Sequence, residues 1–305
     1  MKIDDDILDF YRGDIIDVHN HLFTHEILEK MIKELTNLRF VTFDHRYKLS
    51  STKMYKEEKS TEEVLKDWIR EMDMYGITKL VLFPFKGFHE EIFKAATMYP
   101  DRIIPFIWAD MKNPEETLNL LKKGVKKHGV RGVKFNPSAD HVHPKDRSLY
   151  DLYFFMDKNQ ITALFHYGIS MAPLTDVEYI NPLDIQVPAR DFPELDFIVA
   201  HMGAGYVREC LFLMYHDYNE NIFFDCSGSG AWLQYLSNSR TFEDVYKRFI
   251  DAGGVEKILF GTDSNLRGYR VDVLKQNLQI FKNLGLKEDE VKKIMCNNAK
   301  KVLKI

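Results

Sequence analysis

Short apolar runs, rich in β-branched and aromatic residues, recur along the chain and alternate with longer stretches of helical periodicity. The runs are IIDVHNH (15–21), TKLVLFPF (78–85), RIIPFIWAD (102–110), RGVKFNP (131–137), ITALFHYG (161–168), DFIVAHMG (196–203), NIFFDCSG (221–228) and KILFGTDSN (257–265). Such runs predict buried strands. Strands that alternate with helices predict a parallel sheet covered by helices on its outside.

The helical pattern is clearest in TEEVLKDWIREM (61–72), where the apolar positions form one stripe and Ser60 or Thr61 can cap the start. Pro114 begins a second predicted helix, with two glutamates in its first turn.

Eight strand–helix repeats fit either a doubly wound sheet or a (β/α)8 TIM barrel. Eight repeats in 305 residues match the barrel better. The glycine-rich turn that follows the first strand of a dinucleotide-binding sheet is here replaced by His-Asn-His. We therefore predict an α/β fold in which residues 1–305 form one (β/α)8 TIM barrel domain. Residues 22–59 break the alternation, and we interpret them as an insertion after strand 1 that is either a lid over the mouth or a plain surface excursion.

The composition narrows the class of protein. The chain is 45% hydrophobic with a formal net charge of -4, so it lacks the basic surface of a nucleic-acid binder. It has no apolar run of about 20 residues that could span a bilayer, no apolar signal segment at its start, and three cysteines that lie far apart. These features predict a cytoplasmic protein that binds neither nucleic acid nor membrane.

Polar residues with metal-binding chemistry stand at the ends of several predicted strands. His19 and His21 end strand 1, His166 ends strand 5, His201 ends strand 6, and Asp263 follows strand 8. The carboxyl ends of barrel strands meet at one mouth, and imidazole with carboxylate suits Zn²⁺ and neighbouring divalent metals. A lone histidine in a strand is more often structural, but five such groups at one level of a barrel predict a metal site.

Alternation along strand 1 predicts that His19 and His21 face the mouth together. The same alternation predicts that Ile16 and Val18 pack outward against the helices and that Asp17 shares the face of the histidine pair. Asp17 is then either a hydrogen-bond partner that orients a metal ligand or the acceptor of an internal structural hydrogen bond.

The pattern of Asp-x-His-x-His on strand 1, His on strands 5 and 6 and Asp on strand 8 resembles the amidohydrolase superfamily of metal-dependent barrel enzymes. More narrowly, the chain is similar to the amidohydrolase-2 branch, which includes the aminocarboxymuconate-semialdehyde decarboxylase-like enzymes. The resemblance extends to TEEVLKDWIREMDMYGITKLVLFP, YPDRIIPFIWADMKNPEE, HGVRGVKFNPS, NPLDIQVPARDFPELDFIVAHMG, KILFGTDSN and VKKIMCNNAKKVL. It leaves out 22–59 and most of 204–220.

The resemblance implies that His19, His21, His166 and Asp263 hold one divalent metal, Zn²⁺ first and Mn²⁺ as the alternative. It also implies that His201 is the catalytic imidazole, while Asp263 can accept a proton from metal-bound water in addition to touching the ion. Barrels of this branch resemble dimer formers, so a homodimer is a further expectation.

Three cationic residues bear on the substrate. Lys134, in strand 4, has three interpretations: a carboxylated lysine that bridges two metals, as in some branches of the superfamily, a ligand for a substrate carboxylate, or one half of a buried ion pair. We favour a site with one metal ion over a site with two. Arg267 and Arg270 follow the strand 8 motif and could clasp a substrate carboxylate, although arginines that end loops are more often simply solvated.

Together these residues predict an enzyme that acts on a small molecule. The first hypothesis is a metal-dependent hydrolase in which activated water attacks an amide, ester or lactone. The alternative is a non-oxidative decarboxylase of an unsaturated or aromatic carboxylic acid, which would use the same ligands. A barrel that keeps its metal for a structural or sensory role is a third interpretation, which the complete set with His201 and Asp263 disfavours.

Overall fold

The computed structural model describes residues 2–36, 49–170, 175–215, 219–228, 230–236, 240–265 and 268–305. Within them, eight parallel strands pair in chain order, each with the next. The strands are β1 Ile15–His21, β2 Ile77–Phe83, β3 Ile103–Trp108, β4 Gly132–Phe135, β5 Thr162–Phe165, β6 Phe197–Val199, β7 Ile222–Asp225 and β8 Ile258–Leu259.

The sheet closes between its first strand and the segment that continues β8. The backbone amides of Val18 and His21 donate to the carbonyls of Phe260 at 2.9 Å and Ser264 at 2.8 Å. In the opposite direction, the amide of Asp263 donates to the carbonyl of His19 at 2.9 Å. The predicted (β/α)8 barrel is therefore confirmed.

Helices lie between the strands. The α-helices of the described residues are α1 His25–Thr36, α2 Lys53–Lys56, α3 Thr61–Tyr75, α4 His89–Met98, α5 Pro114–His128, α6 Pro137–Asp140, α7 Tyr150–Lys158, α8 Gln186–Asp191, α9 Val207–Tyr215, α10 Phe242–Gly253, α11 Val271–Asn283, α12 Glu288–Lys292 and α13 Asn298–Leu303. A π-helical turn, Lys293–Asn297, joins α12 to α13. Among the helices that the structure describes, none is both long enough and apolar enough to cross a membrane.

Helix α3 begins where the capping pattern predicts. The Ser60 hydroxyl accepts from the amide of Glu63 at 3.3 Å, and the Glu63 carboxylate accepts from the amide of Ser60 at 2.9 Å. The helix ends at Gly76, whose φ of 71° lies in the left-handed region that glycine enters at little cost. Helix α5 starts at Pro114, also as predicted.

The barrel interior below the mouth is apolar. Ile16 and Val18 pack there with side chains from β2, β3 and β5–β8, and helix α13 closes the bottom. The prediction that Ile16 and Val18 pack outward is therefore wrong. The pairing of β1 with β2 shifts register between Asp17 and Asn20. This irregularity interrupts the alternation of faces, so both histidines of the strand still reach the mouth.

The segment 22–59 contains α1 and α2, while 37–48 lie outside the described residues. His25, at the first turn of α1, donates from Nδ1 to the carbonyl of Tyr55 at 2.7 Å, and Ile27 and Met54 are buried in the outer core. Its role as a lid stays a prediction.

Candidate metal centre

Three of the predicted ligands meet at the mouth. Donor atoms of His19, His21 and Asp263 lie within 4.8 Å of one another. Asp263 Oδ1 is 3.8 Å from His19 Nε2 and 3.5 Å from His21 Nε2. His19 is fully buried, whereas the side chains of His21 and Asp263 keep 18% and 23% of their surface exposed. The cluster therefore has one closed side and one side that a small molecule can reach.

Burial favours the neutral form of three imidazoles of the site, those of His19, His21 and His166. It lowers the pKa of His19 to about 3, with the nearby Lys134 ammonium acting in the same direction. Burial likewise holds the pKa of His21 and of His166 well below the usual value. The pKa of Asp263 is raised, again mainly by burial. Since a metal binds the neutral imidazole, the three histidines are in the form that a cation requires.

His166 follows β5 and lies against His201, with 5.1 Å between the ring centroids. It is not part of the donor cluster that the other three predicted ligands form. Its Nε2 is buried without a hydrogen-bond partner, and so is Nδ1 of His21. Buried polar atoms normally have partners because an unpaired one is costly. These two nitrogens fit a site that is completed by a bound cation or ligand, and His166 as a ligand stays a prediction.

His201 lies just after β6 in a 3₁₀ turn, with its ring centroid 4.7 Å from that of His19. Its φ is 56°, and the φ of the following Met202 is 50°. Asp263 also has a φ of 56°. A left-handed backbone is uncommon for residues other than glycine and tends to occur at functional sites. Both residues predicted to be catalytic therefore stand at strained backbone positions.

Asp225, the last residue of β7, belongs to this site but is absent from the predicted set. Its Oδ2 accepts from Nδ1 of His19 at 2.8 Å, and its Oδ1 accepts from the amide of His201 at 2.9 Å. Burial alone would raise the pKa of this carboxyl, but the neighbouring His19 and the hydrogen bonds hold it well below its usual range. The available signal was its position, since it ends an apolar run at the level of the other polar residues.

Asp17 turns toward the segment after β8. Its carboxylate accepts from the amide and hydroxyl of Thr262 at 3.0 and 2.6 Å, and from the Tyr269 hydroxyl at 2.9 Å. It also accepts from the amide of His19 at 3.2 Å. Burial raises the pKa of Asp17 to about 6. The prediction that Asp17 shares the face of the histidine pair is wrong because the strand irregularity follows it. It supports His19 through the backbone instead.

Lys134 is buried in β4, with Nζ 3.4 Å from Nε2 of His19 and 4.9 Å from the ring centroid of Phe83. Burial lowers its pKa to about 7, although the carboxylates of Asp225 and Asp263 oppose the shift. The Lys134 amine thus borders the cluster. Its three roles, as a carboxylated metal bridge, a substrate ligand or half of an ion pair, stay predictions.

Arg270 also borders the cluster. Its side chain is 7% exposed, and its guanidinium lies 3.9 Å from Asp263 Oδ2 and 3.6 Å from Asp272 Oδ2. Its substrate-binding role stays a prediction. Arg267, the other predicted substrate-binding arginine, lies outside the described residues.

Three aromatic rings lie close to His21. Its ring centroid is 6.1 Å from those of Phe23 and Trp108. Phe85 joins these two rings, at 6.3 Å from Phe23 and 5.5 Å from Trp108. We call Phe23, Phe85 and Trp108 the aromatic wall. Such a surface suits a flat, unsaturated ligand that packs by its face or edge.

A (β/α)8 barrel that gathers imidazoles and carboxylates at the carboxyl ends of its strands defines a class of barrel enzymes. The amidohydrolase family model matches residues 16–305, nearly the whole chain. The chain therefore belongs to the amidohydrolase family and is an enzyme of the amidohydrolase type. No curated protein matches the sequence at a significant level.

Solved structures share the fold. A 5-carboxyvanillate decarboxylase from Novosphingobium aromaticivorans, complexed with manganese and 4-hydroxy-3-methoxy-5-nitrobenzoic acid, is 15% identical with a TM-score of 0.71, covering 98% of this chain and 99% of that one. A dihydroxybenzoic acid decarboxylase from Polaromonas sp., with manganese and 2-nitroresorcinol, is 17% identical with a TM-score of 0.68 over 96% and 97%. A probable 2-pyrone-4,6-dicarboxylic acid hydrolase from Acinetobacter baumannii is 15% identical with a TM-score of 0.63 over 96% and 100%.

Proposed function

We propose that the protein is a metal-dependent decarboxylase of a planar aromatic or unsaturated carboxylic acid. The observation that carries this proposal is the aromatic wall next to His21, together with the buried guanidinium of Arg270 3.9 Å from Asp263. Aromatic side chains hold a flat ring. A buried arginine holds a carboxylate or a phenolate through strong, charge-assisted hydrogen bonds.

The proposal includes one divalent cation held by His19, His21, Asp263 and His166. It is supported by the closeness of the first three donors and by the unpartnered Nε2 of His166. Both decarboxylases described above contain manganese, which makes Mn²⁺ the first metal to test and Zn²⁺ the second. When bound, the cation supplies a positive centre that holds substrate oxygens and stabilises negative charge on them.

In this reaction His201 is proposed to deliver a proton. The bond between the ring or alkene carbon and the carboxylate breaks, CO₂ leaves, and the carbon takes a proton from the imidazolium. Asp225 lies close to the His201 backbone and, through Ser227, to its ring. Solvent then restores the proton to His201.

Hydrolysis of a lactone, ester or amide is the second candidate. It is favoured by the partly exposed Asp263 carboxylate, which can take a proton from an attacking water. The sequence placed hydrolysis first. We reverse the order because a buried arginine lies 3.9 Å from Asp263, where it can hold a carboxylated substrate, and because aromatic rings that suit a flat substrate lie next to His21.

The test is turnover in D₂O with the protein loaded with Mn²⁺. Hydroxylated benzoates and unsaturated acids are assayed for CO₂, and planar lactones for ring opening. Decarboxylation releases CO₂ and leaves one deuterium on the carbon that lost it. Ring opening of a lactone without CO₂ release from any acid would establish hydrolysis instead.

His201→Asn tests the role of the imidazole. We expect retained metal and a turnover that falls by about 10²–10⁴-fold, the usual contribution of acid–base catalysis. His128→Asn is the control, because His128 stacks on Phe93 at 4.2 Å at the end of α5. Unchanged turnover in the His201 variant would exclude the proposed proton transfer.

A further inference from the structure

Residues 225–227, which follow β7 into the mouth, lie between two imidazoles of the site. Asp225 and Ser227 are fully buried. Asp225 Oδ2 is 2.8 Å from His19 Nδ1, while Ser227 Oγ is 2.8 Å from His201 Nδ1. Ser227 Oγ also makes a short hydrogen bond to Asp225 Oδ1. One carboxylate is thus linked to both rings, to the first directly and to the second through a hydroxyl.

The hydrogen positions in this chain follow from the acceptors. Asp225 accepts from the amides of His201 at 2.9 Å and Ser227 at 3.0 Å, as well as from the Ser227 hydroxyl and His19. Three of these donors reach Oδ1 and only His19 reaches Oδ2, and an ionised carboxylate has no proton of its own to give. The single hydroxyl proton of Ser227 therefore goes to Asp225, and Ser227 Oγ can only accept from the ring of His201.

A second contact gives the same answer independently. Nδ1 of His201 lies 3.3 Å from the carbonyl oxygen of Ser227, and a carbonyl only accepts hydrogen bonds. Both neighbours of His201 Nδ1 therefore require it to carry the proton. In the neutral ring the other nitrogen, Nε2, then carries no proton and can accept one. His19 follows the same rule, because its Nδ1 faces the Asp225 carboxylate at 2.8 Å and its Nε2 faces the Lys134 ammonium, a donor, at 3.4 Å.

We propose that Asp225 and Ser227 are positioning residues that hold His19 and His201 in the same tautomer, with the proton on Nδ1 and Nε2 presented to the mouth. Asp225 acts on His19 directly. It acts on His201 in two ways, through the Ser227 hydroxyl and through the His201 amide, which it holds in the left-handed turn. The consequence for proton transfer rests on the proposed function, but the tautomer assignment does not.

The experiment is long-range ¹H–¹⁵N NMR of ¹⁵N-histidine-labelled protein, without added metal and with diamagnetic Zn²⁺. The His201 signals are assigned by their loss in His201→Gln. We expect the wild type to show His201 with its proton on Nδ1 and Ser227→Ala to show a larger share of the Nε2 tautomer, because the 2.8 Å contact to the hydroxyl is lost and only the longer 3.3 Å contact to the backbone carbonyl remains. Ser138→Ala is the control, because it removes a buried hydroxyl that bonds to Asn136 and touches no imidazole.

Two further measurements connect the tautomers to binding and rate. Asp225→Asn should weaken Zn²⁺ binding by about 10–100-fold, the usual effect of removing a carboxylate behind a histidine ligand. Ser227→Ala should lower kcat by about 10-fold, part of the about 10²–10⁴-fold that acid–base catalysis supplies, with little change in KM.

The proton on Nε2 of His201 in the wild type would overturn the proposal, as would an unchanged His201 tautomer in Ser227→Ala. The NMR result stands even if no acid in the substrate panel is turned over. Failure of the proposed function and failure of this inference are therefore distinguishable.

Discussion

At the scale of single residues, one nitrogen of His166 is expected to contribute to metal binding but not to the stability of the metal-free fold. Its Nε2 is buried and has no hydrogen-bond partner. A polar atom in that state raises the free energy of the folded protein, and an apolar ring of similar size removes the penalty. In the metal-free protein this nitrogen therefore adds no stability. In the metal-bound protein it would bind the cation.

We accordingly predict that His166→Phe leaves the free energy of unfolding of the metal-free protein unchanged or higher, while it weakens metal binding. Urea unfolding and calorimetric titration with Mn²⁺ measure the two quantities. His89→Phe is the matched control, because His89 Nε2 is hydrogen-bonded to the backbone of Trp108, 3.0 Å from its carbonyl oxygen and 3.2 Å from its amide nitrogen. That variant should lose about 1 kcal/mol of stability and keep its metal affinity. Equal destabilisation of both variants with no change in affinity would contradict the ligand role of His166.

At the scale of elements, helix α3 supports the site from outside the barrel. Its Trp68 packs edge-on against Tyr269 at 6.1 Å, and the Tyr269 hydroxyl holds Asp17. The helix depends on its first turn, where Ser60 and Glu63 satisfy each other's backbone amides. Loss of this cap would weaken the helix without removing any residue of the metal cluster.

We predict that Ser60→Ala lowers the free energy of unfolding by about 1 kcal/mol, the usual value of an N-cap, and leaves the metal content unchanged. Urea denaturation with metal analysis checks both. Lys66→Ala, on the exposed face of α3, should change stability by less than about 0.5 kcal/mol. A cap variant as stable as the wild type would show that α3 is held by its packing alone.

The elements also show which parts of the site could be predicted from sequence. All eight strands coincide with apolar runs, because burial on both faces of a parallel sheet leaves a continuous pattern. The break in β1 could not be predicted, because it depends on how β1 pairs with its neighbours across the sheet. That break explains both errors in this strand, the outward placement of Ile16 and Val18 and the orientation of Asp17.

The loops that follow the strands were harder to predict from the sequence than the strands themselves. The left-handed turn at His201 and the two imidazole contacts made by Asp225 and Ser227 depend on backbone geometry that no local pattern encodes. Asp225 was visible only as a polar residue that ends a buried run. Arg267 and the middle of the 22–59 segment lie outside the described residues, and dimer formation stays a prediction.

At the scale of the whole molecule, the site exists only in the closed barrel. His19 and its partner Asp225 are 206 positions apart, and Asp17 and Thr262 are 245 apart. The unfolded chain has no such cluster, so a cation that binds these residues binds the folded state and stabilises it.

Metal removal should therefore lower the melting temperature. A free metal concentration 100-fold above Kd contributes about 2.7 kcal/mol. At about 2–4 °C per kcal/mol, typical of chains of 150–250 residues, that corresponds to a shift of several degrees. Thermal unfolding after treatment with a chelator, and again after Mn²⁺ is restored, measures it. A melting temperature that does not respond to either step would mean that no cation binds the folded chain tightly.

The most direct test of the account is the metal content of the purified protein and of two double variants, measured by mass spectrometry of the elements. The chain contains a second His-x-His, His141 and His143, and His143 there is bound to Asp184 at 2.6 Å. We predict about one Mn²⁺ or Zn²⁺ per chain in the wild type and in His141→Ala/His143→Ala, and none in His19→Ala/His21→Ala. Equal metal content in the two double variants would contradict the placement of the metal at the mouth of the barrel.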